Sequence, residues 1–132
     1  MKLRRALAVL ALSTVVGSVA IPTPAHAADS WDLIVSTTDD NPGGRMWVAA
    51  SGDVVQVCDV QADGKRAVAS VYNPGGSLRY RFTASGVGTC NTKGASNGGA
   101  YNLVEGTSYK FQVCLTDDTG ALKFCQSAWT AA

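Results

Sequence analysis

Tyr109-Lys110-Phe111-Gln112-Val113-Cys114-Leu115-Thr116 leads into Asp117-Asp118-Thr119-Gly120 and then Ala121-Leu122-Lys123-Phe124-Cys125. In an extended chain, Tyr109, Phe111, Val113 and Leu115 fall on one face, with Lys110, Gln112, Cys114 and Thr116 on the other. Asp117–Gly120 has the composition of a turn. Beyond it Leu122 and Phe124 continue the apolar face, while Lys123 and Cys125 share the polar one. The pattern predicts a β-hairpin with one buried face. A turn centred between Thr119 and Gly120 sets Cys114 directly opposite Cys125. Opposed residues have Cβ atoms about 4.5–5.5 Å apart, close enough that a small adjustment makes a disulfide.

That pairing leaves Cys58 with Cys90. The second bond closes a long loop and restrains the glycine-rich segment Ala84–Ala100; in the chain-entropy model it contributes roughly 3–4 kcal/mol. Zinc is the competing use of four cysteines, but no Cys-x-x-Cys spacing occurs. Working outward, Trp31–Ser36, Met46–Ala49, Val54–Asp59, Ala67–Tyr72 and Leu78–Thr83 are short β-prone runs. Asn41-Pro42-Gly43-Gly44, Ser51-Gly52-Asp53, Ala62-Asp63-Gly64 and Asn73-Pro74-Gly75-Gly76 punctuate them. No segment sustains a 3.6-residue period. An all-β fold follows: a small antiparallel β-sandwich of about seven strands, stapled by two disulfides.

The N-terminus reads as a secretory signal over residues 1–27. Lys2, Arg4 and Arg5 precede the apolar Ala6–Ala20, and Ala25-His26-Ala27 is a small-x-small cleavage site. The apolar run is too short for a membrane span and is followed by Pro22 and Pro24. Residues 28–44 then form an N-terminal arm or edge strand, and 45–132 the sandwich. Cleavage removes Lys2, Arg4 and Arg5 from 11 basic residues, leaving 8 against 10 acidic ones, a net charge of −2. It also removes His26, the one histidine. Nucleophile–base pairs built on imidazole, and histidine metal sites, are thereby excluded. A slightly acidic domain without a basic stripe is a poor nucleic-acid binder. The expected product is secreted, without a cofactor, and free of the membrane after cleavage.

Asp59-Val60-Gln61-Ala62-Asp63-Gly64 imitates the start of a calcium loop, but Ser70 occupies the position where an EF-hand needs a bidentate glutamate. An ordinary turn with Gly64 at positive φ is the preferred reading, with a looser calcium site left open. Asp39-Asp40, Asp117-Asp118, Asp59 with Asp63, and Glu105 are the candidates for a glycosidase-like carboxylate pair. All lie in or beside turns, where nothing promises the burial that a catalytic acid needs. Arg79 and Arg81, with Lys65 and Arg66, offer a small basic face. Among the tryptophans, Trp47 is expected in the core, and Trp129 follows the last strand. Trp31-Asp32-Leu33-Ile34-Val35 is an apolar stretch set off by the polar Ser36–Gly44. It is either an edge strand on its own sheet, the preferred reading, or an arm inserted into a partner. Tryptophan is a common interface hot spot, which makes Trp31–Val35 the expected partner-binding segment.

Four stretches carry a family resemblance: Asp39-Asp40-Asn41-Pro42-Gly43-Gly44, Cys58–Gly64, Gly98-Gly99-Ala100-Tyr101-Asn102-Leu103 and Cys114-Leu115-Thr116. Through them the chain resembles a family of small secreted actinobacterial, streptomycete-like proteins. The resemblance implies a two-disulfide β-sandwich, no catalytic residues, and another secreted protein as partner. Some small proteins of this kind are adaptor subunits of umbrella toxin particles, so an adaptor is the expected role. Two alternatives stand beside it. An inhibitor of a protease or glycosidase needs a constrained exposed loop, which the flexible composition of Ala84–Ala100 does not favour. A carbohydrate- or surface-binding module needs coplanar exposed rings, with Tyr72, Tyr80, Tyr101 and Trp129 available.

Overall fold

In a computed structural model, residues 30–132 are described; residues 1–27, expected to be a secretory signal, lie outside them. The architecture is all-β, with two antiparallel sheets of four strands packed face to face. In chain order the strands are β1 Leu33–Ser36, β2 Gly44–Ala49, β3 Val54–Asp59, β4 Arg66–Tyr72, β5 Leu78–Ala84, β6 Cys90–Lys93, β7 Ser108–Thr116 and β8 Leu122–Ala131. The first sheet runs β1-β2-β3-β6 and the second β5-β4-β7-β8.

Period-two alternation builds the core. Val35, Met46, Val48, Val55 and Val57 face inward from the first sheet; Val71, Phe82, Phe111, Val113 and Leu115 meet them from the second. Gly44 permits a close approach where β2 crosses β4 and β7. A Cβ there would lie 3.1 Å from the Cβ of Ala67 and 3.3 Å from Leu115.

Both disulfides are the expected ones, Cys58–Cys90 and Cys114–Cys125. Each joins neighbouring strands on the outer face of one sheet; neither bridges the two sheets. Cys58 and Cys90 are direct partners in the β3–β6 register, with Cα atoms 4.0 Å apart. Disulfides of this kind mark a chain that folds in an oxidising compartment.

Three local expectations are corrected. β6, polar and four residues long, lies inside the segment expected to be flexible. Its ladder to β3 and the bond to Cys58 hold it at the sheet edge. Neither Leu122 nor Phe124 continues the apolar face: Leu122 opposes Thr116 on the outer side, and Lys123 opposes Leu115. The β7–β8 register shifts between Val113 and Leu115, and Phe124 adopts φ 54° as the extra residue of a bulge. The bulge turns its ring outward and lets Cys125 meet Cys114. Trp129 does not follow the last strand but lies within β8.

Candidate interaction surfaces

The predicted partner segment is a docked strand. Leu33, Ile34, Val35 and Ser36 pair with Val48, Trp47, Met46 and Arg45. The Asp32 amide donates to the Val48 carbonyl at 2.8 Å, and the Asp32 carboxylate accepts from the Ala50 amide at 2.7 Å. Val35 is buried in the core, Trp31 and Leu33 are half-buried, and Asp32 and Ile34 are exposed. The alternation that anchors Val35 therefore aims Ile34 at solvent.

Trp47 shares that outward side, against the expectation that it lies in the core. Met46 and Val48 take the inward positions of β2, so parity leaves Trp47 on the outer face. In the sheet register, Ile34, Trp47, Gln56 and Thr92 form one row across all four strands. The next row is Ser36, Arg45, Cys58 and Cys90. The Arg45 guanidinium lies 5.9 Å from the Trp47 ring centroid, and its Nε donates to the Ser36 hydroxyl at 3.2 Å. Ile34, at 56% exposure, ends the Trp47 row at the free edge of the sheet. An aliphatic residue, a tryptophan and a stacked arginine thus adjoin one another on a disulfide-braced face.

The second sheet presents a more polar outer face. Lys110 stands between Tyr72 and Trp129 in the register, with its ammonium 4.4 Å from the Tyr72 ring centroid. Of the four candidate sugar-binding rings, Tyr80 is buried and Tyr101 packs against it at 4.7 Å. Tyr72 and Trp129 share a face but are separated by Lys110, so no run of adjacent rings forms.

The basic residues divide. Arg79 turns to the sandwich end, donating through Nε to the Ala100 carbonyl at 2.7 Å and through Nη2 to the Asn102 carbonyl at 2.8 Å. Arg66 and Arg81 instead share an open hollow of about 320 Å³ with Thr83, Ser85, Thr116 and Leu122. Arg81 donates to the buried Ser70 hydroxyl at 2.8 Å. Arg66 bonds the Asp117 carbonyl and lies 3.6 Å from the exposed Asp118 carboxylate.

The turn acids serve their own turns. Asp63 accepts from the Lys65 amide at 2.9 Å and pairs with its ammonium at 3.3 Å, while Gly64 takes φ 74°. Asp59 is buried, its carboxylate accepting from the Gln61 amide at 3.4 Å. Asp39 accepts from Thr37 and from the Gly43 amide. Lys123, followed by the Thr119 hydroxyl, holds Asp117 well below the usual carboxylate range. Among the described residues, no group of three or more His, Cys, Asp or Glu side chains is arranged to hold a metal ion.

Ser85–Thr89 is constrained by hydrogen bonds rather than slack. The Thr89 amide donates to the Gly86 carbonyl at 3.0 Å, and the Gly88 amide to the Asp59 carbonyl at 2.7 Å. Gly86 at φ 102° and Gly88 at φ 75° bend the chain around Val87. The result is a tight turn, not the extended segment that lies along a protease cleft.

These surfaces belong to a two-sheet antiparallel sandwich with a disulfide on each outer face. No family model matches the chain, and no curated protein matches it. Its fold is similar to part of the crystal structure of an endonuclease/exonuclease/phosphatase from Beutenbergia cavernae DSM 12333. That similarity has a TM-score of 0.51, covering 74% of this chain at 20% identity. The chain spans 26% of that protein's length, and the likeness is one of fold.

Proposed function

We propose that this is a secreted, non-catalytic adaptor acting by protein–protein contact, and that its partner docks on the outer face of β1 and β2. The row formed by Ile34 and Trp47, with Arg45 stacked beside it, carries this reading. Tryptophan and arginine are enriched at binding hot spots, and an unpaired edge strand adds main-chain groups for a partner to use. The sequence resemblance supports a secreted partner, with a component of an umbrella-like toxin particle as the particular candidate. Within Trp31–Val35, the contact then falls chiefly to Ile34, while Leu33 and Val35 brace it from below.

Deleting Ala28–Val35 would remove a core residue, so point substitutions give the sharper test. Tagged protein is purified from native culture supernatant beside Ile34→Asp and Trp47→Ala, and companions are identified by mass spectrometry. Ile34→Asp is expected to weaken capture about 30-fold, the equivalent of about 2 kcal/mol at a hot spot. Capture unchanged in both folded variants sinks the proposal. Recovery of one hydrolase, inhibited in the complex, points instead to an inhibitor; recovery of cell-wall glycans points to a binding module.

A further inference from the structure

Two four-stranded sheets have four edges, formed here by β1, β6, β5 and β8. Exposed edges invite another strand, and proteins guard them by shortness, charge, bulges or cover. β1 and β6 are four residues each. β5 carries Arg79 and Arg81, so a second β5 would bring like charges together. That edge is also covered: Asn91 donates to the Thr83 carbonyl at 3.0 Å, and Arg79 ties down Ala100 and Asn102.

β8 differs. It runs ten residues, and only its first part is guarded. The bulge at Phe124 distorts it there, and the Phe124 carbonyl accepts from the Thr38 amide at 3.0 Å. Gln126-Ser127-Ala128-Trp129-Thr130-Ala131 follows, without charge, proline or bulge. Gln126, Ser127, Trp129 and Ala131 are exposed, Trp129 at 54%.

We propose that Gln126–Ala131 is a self-association edge, pairing antiparallel with the same segment of a second copy about a twofold axis. Two four-stranded sheets then become one of eight strands. A second copy suits this edge because a twofold contact needs a surface that tolerates itself. A twofold through Ala128 sets Trp129 against Ser127 of the second copy and Gln126 against Thr130, so inner and outer faces match and no like charges oppose. Lys123, the one charge of β8, would stand beyond the end of the opposing strand, and it is already bound to Asp117 at 2.7 Å. The inference is independent of the partner surface on β1 and β2. A dimer would present that surface twice, which raises avidity for a partner carrying repeated sites.

The test is sedimentation velocity on the oxidised, secreted protein over a concentration series into the millimolar range. The expected species is a dimer that Ser127→Lys weakens about tenfold or more, because edge lysines oppose strand pairing. Thr92→Lys, exposed on β6 at the edge of the other sheet away from β8, should leave it intact. Trp129→Lys serves in the same role if near-ultraviolet circular dichroism shows Ser127→Lys to be misfolded. A monomer at every concentration overturns the proposal. So does a dimer that survives both β8 lysines, or one that Thr92→Lys alone abolishes.

Discussion

Asp53 closes the turn between β2 and β3 at φ 55° and is buried. Its Oδ2 accepts from the Leu103 amide at 2.8 Å, across a separation of 50 residues. One carboxylate thus ties a hairpin turn to the segment preceding β7. Asp53→Ala leaves that amide without its acceptor and places alanine at a backbone conformation it resists. The expected loss is about 2 kcal/mol. Asp53→Asn keeps an acceptor and tolerates positive φ, so it should cost much less. Urea unfolding of both variants against the parent measures the difference. The turn was readable from Ser51-Gly52-Asp53, whereas the partner was not, because nothing local links Asp53 to Leu103. Trp47 makes a related point. Its size suggests burial, yet the parity set by Met46 and Val48 overrides size.

At the level of elements, the alternating runs were readable because each carries its own hydrophobic period. β6 was not: Cys90-Asn91-Thr92-Lys93 has no apolar face, and it is seen as a strand only where it pairs with β3 and bonds to Cys58. Replacing Cys58 and Cys90 with alanine should cost about 4 kcal/mol, and replacing Cys114 and Cys125 about 3 kcal/mol plus the packing of the buried Cys114. The two variants separate by location. Amide hydrogen exchange should rise selectively over Cys90–Lys93 in the first and spare that strand in the second. Equal protection of β6 in both would show that its main-chain bonds suffice without the crosslink. The β8 bulge is the other feature that the local pattern concealed. A hairpin read with perfect alternation brings the cysteines together but leaves Phe124 on the wrong face. The structure spends one residue, Phe124, on joining two registers.

At the level of the whole molecule, the sandwich is closed at one end by Tyr80 and Tyr101. Burial, reinforced by the charge of Asp53, pushes the Tyr80 phenol above its ordinary range. The unfolded phenol ionises at about pH 10. The stability owed to the neutral buried phenol is therefore complete below that pH and is lost as pH rises toward the folded value. Thermal melts should fall steeply above about pH 10, and Tyr80→Phe should flatten the fall. An alkaline limb identical in parent and variant would assign the loss to other groups. The same scale frames the two proposed contacts. Trp47 lies on the outer face of β2, one strand in from the edge that packs on β8, so Trp47→Ala should lose the first contact and retain the second.

Strand alternation, turn composition and cysteine positions by themselves determined an all-β sandwich and its disulfide pairing. These are properties of short range, set by a two-residue period and by the reach of opposed cysteines. Which outer face carries Trp47, why the glycine-rich segment is fastened, and which of four edges lies open were decided only by tertiary structure. Each depends on residues brought together from distant parts of the chain, and packing two sheets is what fixes those distances.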